Sequence, residues 1–334
     1  MKKEDKQPVQ GIGNAYEGIK QVIERARNTA YRTVNFIMVA AYWNIGKIIA
    51  EEEQKGTKRA NYGTYLIKEL SARLTKEYGQ GFDESNIRHM RQFFLSFPIQ
   101  DALRLELSWT HYRTLLRVEN SKAREFYTIE CINSRWSTRM LERQINTLLY
   151  ERLASGRDKK KVMALSIKGQ AVQKPEDIIK DPYVLEFLNM PENYSEKELE
   201  NRIISNLQMF LLELGRGFSF VARQFRMEIG KKQFYADLVF YNKTLRCYVL
   251  IDLKISGSHA DIGQMNLYLN YFKSKVNSEG DNEPIGIILS RNNEKIEIKY
   301  ALGGISSQIF ASRYMLSLPS PEQLKKVIEI SRTA

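Results

Sequence analysis

The sequence predicts an all-α first half followed by an α/β second half, in which strands are flanked by helices. Apolar residues recur at helical spacing through the first 150 positions. After residue 218, runs rich in aromatic and β-branched residues alternate with turn-forming segments. One of these runs, Gln233 to Tyr241, is interrupted by Asp237, where an unpaired carboxylate would be costly to bury.

Composition bounds the answer. The chain has 334 residues, 43% of them hydrophobic, with only 8 prolines, enough for two packed cores. Cys131 and Cys247 are the two cysteines, far apart and without a CxxC or Cys/His grouping. That excludes a disulfide framework and a zinc site, and fits a reducing cytoplasm. Met1-Lys-Lys-Glu-Asp-Lys lacks an apolar signal core, and the run Phe36 to Trp43 is too short to span a bilayer, so a soluble protein without a membrane partner is expected. Nearly all of the net charge of +12 lies in residues 1–168. A basic half joined to a near-neutral half places phosphate attraction in the former, against the plainer reading of a solvated surface.

The first element is a long amphipathic helix from about Tyr16 to Glu53, expected to bend or break once, with Ile19, Val22, Ile23, Ala26, Ala30, Val34, Ile37, Ala41 and Ile45 at helical spacing. A second helix runs from about Tyr65 to Tyr78 and stops at Gly79-Gln-Gly81; Asp83 caps a third from Glu84 to Leu95. Helix, glycine turn, helix resembles a helix-turn-helix. In that reading Asn86, Arg88, His89 and Arg91 face a nucleic-acid groove while Ile87, Met90 and Phe94 pack inward; an ordinary helical hairpin carries the same pattern. Helices follow at about Trp109 to Val118, Lys122 to Ile132 and Thr138 to Leu153, and Trp43, Trp109 and Trp136 pack their bundle. Lys159-Lys160-Lys161 reads as a solvated linker run near a boundary at 155–175, giving a helical domain at 12–160 and a second domain at 175–320.

The second domain opens at Asp181 to Met190, then a helix from Glu196 to Leu214 stopped by Gly215-Arg216-Gly217. Strands are expected at Ser219 to Glu228, Gln233 to Tyr241 and Arg246 to Lys254, then a helix capped by Asp261 and running to about Phe272, and a strand at Ile285 to Ser290. Strands near 296–300 and 309–315 and a terminal helix from Glu322 complete the order.

Chemistry converges on the second and third strands. Period-two alternation puts Asp252 and Lys254 on one face. A connecting loop of about four residues, Lys243 to Arg246, sets Asp237 opposite Asp252 on that face; a tighter turn at Asn242-Lys243 would offset them by four. Two carboxylates suit a hard divalent cation, Mg2+ or Mn2+ in its place, and an ammonium one pleat away can orient a nucleophilic water or pair with a phosphate. The bland alternative is a pair of structural ion pairs, with Arg223 or Arg226 on Asp237. Gln264 and Tyr268, four apart, share a face near the start of the next helix, where amide donors favour a phosphate. His259, alone in the preceding loop, is incidental.

Asp237, Asp252-x-Lys254 and Gln264-x-x-x-Tyr268 resemble the PD-(D/E)xK nuclease signature in its QxxxY variety. Asp181-Pro-Tyr-Val-Leu-Glu-Phe-Leu188, Phe210 to Phe218, Arg223-Gln224 and Asp237-Leu-Val-Phe-Tyr241 resemble the YhcG-type nuclease domain, and Tyr42-Trp-Asn-Ile-Gly46, Leu107 to Tyr112 and Trp136 to Leu149 resemble that family's N-terminal domain. The resemblance implies a restriction-endonuclease-like domain, a mixed β-sheet flanked by helices, behind the helical one. It implies a Mg2+-dependent nuclease in which Asp237, Asp252 and the Leu253 carbonyl bind metal, Lys254 positions or activates water, and Gln264 and Tyr268 orient water and phosphate. An acidic residue on the preceding helix can join the metal in this superfamily, and Glu213 occupies the matching position. Asp252 stands where the family usually has Glu, Ala236 where a proline often precedes the first aspartate, and the loop at 256–260 also departs from the family; none of these removes a ligand. DNA is the expected substrate, held by the basic helical domain, with a homo-oligomer left open. An RNA-cutting enzyme, or a nucleic-acid-binding or assembly protein that keeps the fold without cutting, are the alternatives.

Overall fold

The computed structural model describes residues 10–55, 62–98, 104–154, 159–292 and 308–318. The chain forms two compact units, Met1–Glu142 and Arg143–Ala334, with residues 143–154 grouped in the second. The strands expected near 296–300 and the terminal helix from Glu322 lie outside the described residues.

In the first unit, α1 (Gln10–Lys55) is one helix without the expected break. By length and composition its span from Ala15 is apolar enough to cross a membrane, a wider window than Phe36 to Trp43, although core helices of soluble proteins pass the same test. Its C-terminal half packs through Val39, Trp43, Ile49 and Ala50. Gly46 is required there: a Cβ would overlap the backbone carbonyl of Met90 on α3 (Glu84–Ser96). Helix α2 (Tyr62–Tyr78) stops at Gly79 and Gly81, both at positive φ, and the Asp83 carboxylate caps α3 by accepting from Asn86 N–H at 3.0 Å. Ile87, Met90 and Phe93 are the buried face of α3, whereas Phe94, expected inward, is half-buried edge-on against Trp43. Helices α4 (Trp109–Leu115) and α5 (Ser121–Ser134) follow the pattern read from sequence. The helix expected over Thr138 to Leu153 is two, α6 (Thr138–Asn146) and α7 (Leu149–Ala154), divided at Leu148 with φ of 54°. Lys159 to Lys161 open a further helix, α8 (Lys159–Lys168), rather than a linker.

The second unit carries a six-stranded mixed sheet in the order β1-β6-β5-β4-β3-β2. Its strands are β1 (Tyr183–Val184), β2 (Phe218–Ile229), β3 (Lys232–Asn242), β4 (Cys247–Ser256), β5 (Ile285–Asn292) and β6 (Ile309–Met315). The β2-β3-β4 meander is antiparallel and β4, β5, β6 and β1 run parallel, the mixed arrangement expected. The helix expected from Glu196 to Leu214 is broken at Asn206 into α9 (Glu196–Ser205) and α10 (Leu207–Leu214), which bury Leu199, Ile203, Phe210 and Leu214 in one core on the sheet. A second core holds α11 (His259–Tyr271) through Ile262, Met265, Tyr268 and Leu269. Ser258, not Asp261, precedes this helix: its N–H and Oγ donate to Asp261 Oδ2 at 2.6 and 2.8 Å, which puts Asp261 in the reciprocal capping-box position. Gly286 lets α11 approach β5, since a Cβ would overlap the Met265 side chain.

Candidate active site

The β3–β4 hairpin has the four-residue loop, and Asn242 pairs with Cys247. That register brings Asp237 opposite Asp252, and the four-residue offset of a tighter turn does not occur. The ladder between the two strands ends at Leu238 and Ile251. Beyond it β3 continues against β2 and β4 against β5, so the strands fork. In the fork, acidic side chains take the place of strand carbonyls: Leu253 N–H donates to Asp237 Oδ2 at 2.8 Å, and Ile255 N–H to Glu196 Oε1 at 2.9 Å. A residue's N–H and C=O leave an antiparallel edge on the same side, so the Leu253 carbonyl lies on this edge too.

Asp252 is 2% exposed. Its Oδ2 is buried, and the one group among the described residues that answers it is Lys254, whose Nζ forms an ion pair with it at 2.9 Å. Burial, reinforced by the Asp237 carboxylate and only partly offset by Lys254, pushes Asp252 up to about 7. Burial works to lower Lys254, but Asp252, Asp237 and Glu196 outweigh it, and the ammonium is held above its ordinary value. Asp261 is 4.0 Å from the same nitrogen. Gln264 donates through its amide to the Tyr268 hydroxyl, joining the two residues of the helical face. Tyr268 is 1% exposed and raised mainly by burial, with Asp252 and Asp237 adding to the shift.

Residues not anticipated complete one wall. Glu196, Lys197, Glu200, Arg223, Gln224 and Asp237 line a cleft of about 470 Å3. Glu200 is paired with Arg223, and Gln224 Nε2 donates to Glu200 Oε2 at 2.6 Å and to Asp237 Oδ1 at 2.9 Å. The available signal was the i, i+4 spacing of Glu196 and Glu200 on a helix whose apolar positions had already been assigned. The ion pair considered between Asp237 and Arg223 is absent among the described contacts: Arg223 pairs with Glu200, and Arg226 with Glu228.

Glu213 is not brought to this cluster. It is fully buried, its Oε1 accepting from Arg152 Nη1 at 2.6 Å and Val184 N–H at 3.0 Å, its Oε2 from Arg143 Nη1 at 3.2 Å. The break at Asn206 turns α10 away from the face α9 presents to the fork. A carboxylate so fully engaged has no position left for a cation, and Glu200 stands on the helix beside Asp237 instead. In the first unit Asn86 donates to the Gly81 carbonyl and accepts from Trp109 Nε1 at 3.1 Å. Arg88 pairs with Glu84 and Arg91 with Glu53, while His89 is lowered by burial and by nearby Arg113.

Among the described residues no three His, Cys, Asp or Glu side chains form a ready-made metal cage. The donors in the fork still fit a hard divalent cation. Two carboxylates face one another, one retains a buried oxygen answered only by the Lys254 ion pair, and a backbone carbonyl lies on the same edge.

Comparison with known proteins gives the family. Residues 176–329 match the YhcG PDDEXK nuclease domain and residues 18–152 the DUF1016 N-terminal domain. The chain therefore carries a nuclease domain of the PD-(D/E)xK class behind a helical domain. It belongs to the YhcG family: it is 38% identical to "Putative nuclease YhcG" of Escherichia coli (strain K12), over 94% of this chain and 92% of that protein. A crystal structure of a repair endonuclease from Pyrococcus abyssi is a distant likeness, 20% identical with a TM-score of 0.26 over 39% of this chain and 50% of that one.

Proposed function

We propose that the chain hydrolyses phosphodiester bonds in DNA with Mg2+, or Mn2+ in its place, held by Asp237, Asp252 and the Leu253 carbonyl. The observation that carries this reading is the buried Asp252 oxygen, answered only by the Lys254 ion pair and facing a second carboxylate in a fork that no other strand among the described residues closes. Bound there, a divalent cation polarises the phosphoryl oxygen and stabilises the leaving oxygen. Lys254, kept cationic by its acidic neighbours, orients the attacking water or pairs with the phosphate. Gln264 and Tyr268 align the water and the scissile group from α11. Glu200, joined to Asp237 through the Gln224 amide, completes the acidic wall. The basic excess of the first unit, with Arg88 and Arg91 on α3, holds the DNA backbone, and the buried free thiols Cys131 and Cys247 fit a reducing cytoplasm.

Cleavage of matched DNA and RNA substrates with Mg2+ or Mn2+ tests this. Asp237→Asn and Lys254→Ala are each expected to lose at least ~10²-fold in rate. Wild-type rates in both variants would reject the site. Salt-sensitive binding without any cleavage would identify a binding protein, and preference for the RNA substrate an RNA-cutting enzyme.

A further inference from the structure

Gln224 sits opposite Asp237 in the β2–β3 ladder, between the pairs Arg223 with Leu238 and Phe225 with Ala236. Successive residues of an extended strand point to opposite faces, so Arg223 and Gln224 should not reach the same group. Yet both hold Glu200: Arg223 pairs with its Oε1, and Gln224 Nε2 donates to its Oε2. The backbone accounts for this. Gln224 has a φ of 47°, a left-handed conformation that non-glycine residues rarely adopt and that occurs inside a strand only where the surroundings enforce it.

The orientation of the amide follows from its neighbours. Two carboxylate oxygens, Glu200 Oε2 and Asp237 Oδ1, stand 2.6 and 2.9 Å from one nitrogen. Only an NH2 group, with two hydrogens and no lone pair to repel them, fits between two acceptors. A neutral donor thus links a helix acid to a strand acid that would otherwise repel each other.

We propose that Gln224 is a positioning residue that holds Glu200 and Asp237 facing one another before a divalent cation arrives. The proposal rests on the reading of the fork as a metal site and adds a device that pre-organises it. A partner of this kind typically changes metal affinity 10–100-fold when it is removed.

Mn2+ titration of the full chain by calorimetry, with thermal unfolding in the absence of metal, tests it. Gln224→Gly is the decisive variant, because glycine accepts the left-handed φ while removing the side chain that carries the amide. It is expected to melt no lower than wild type without metal and to bind Mn2+ about tenfold more weakly. Half-maximal cleavage should need correspondingly more Mn2+, with a smaller loss at saturation. Gln224→Asn, which tolerates the left-handed region and keeps an amide, should recover part of the affinity. Gln224→Glu places a third carboxylate in the cluster; it should lower the metal-free melting temperature, and Mn2+ should restore it. Unchanged Mn2+ affinity in Gln224→Gly would overturn the proposal while leaving the metal site standing. Failure of the wild-type chain to bind Mn2+ would overturn both.

Discussion

Glu213 and Asp252 belong to the same compact unit and are equally hidden, at 0% and 2% exposed, but they settle burial in opposite ways. Burial alone would raise Glu213; Arg152, Lys180 and Arg143 reverse it, and the carboxyl falls to about 2. Asp252 has one cation and a second carboxylate beside it, and rises to about 7. The first carboxylate is answered by the fold itself. The second is left partly unanswered, which is the condition for binding something that is not part of the chain.

The largest way to break the contrast is to remove an answering charge. Arg152→Ala leaves Glu213 buried with one strong partner fewer and is expected to destabilise the second unit by about 3–5 kcal/mol in urea unfolding. An unchanged midpoint would mean that Glu213 is not held by this ion pair. Acid offers a test without mutation. The folded-state value of Glu213 lies below its unfolded one, so its contribution is complete above about pH 4.5 and disappears as pH falls through about 2, a loss of about 3 kcal/mol. Glu213→Gln should flatten that part of the profile.

Asp252→Asn should do the reverse of Arg152→Ala. The raised carboxyl contributes stability only below its unfolded value and loses it as pH rises through about 7. Without metal, the variant is therefore expected to be about 1–3 kcal/mol more stable than wild type at pH 8, with no gain below pH 4. A destabilised variant at pH 8 would show that Lys254 fully compensates the carboxylate. His111 in the helical unit is the mildest case, a buried group kept neutral. Its Nε2 lies 3.1 Å from the Trp136 carbonyl and its Nδ1 accepts from Ser108 N–H at 3.2 Å, while burial lowers its pKa. Stability of that unit should decline by less than ~1 kcal/mol as pH drops below about 6.5, given the partial exposure of the ring. His111→Gln should remove the dependence.

The facing of Asp237 and Asp252 was legible on one of two loop lengths, because alternation is a local property: the four-residue loop from Lys243 to Arg246 sets them opposite, and the fork beyond them was not read. The cap at Asp83 and the glycine stop before it were equally local. What escaped depended on distant partners or on backbone conformations without a sequence signal. Glu213 sits in Leu-Leu-Glu-Leu, and nothing in that tetrapeptide announces arginines 61 and 70 residues upstream. The breaks at Leu148 and Asn206 carry neither glycine nor proline, so both helices read as continuous. Arg223-Gln224 entered the reading only as part of the family resemblance, and nothing in the strand sequence announced the left-handed φ of Gln224.

The parting of the third and fourth strands has a practical consequence for anyone wanting a silent version of this protein. Asp237 also occupies the rung that a neighbouring carbonyl would otherwise fill, accepting the Leu253 amide. Truncating it to alanine would strip a main-chain donor of its acceptor along with any chemistry, and lost turnover could then be mistaken for a loosened sheet. Asparagine keeps an oxygen at that rung and disturbs only the contact with the Gln224 amide, which its NH2 would face, so it is the cleaner choice of dead variant.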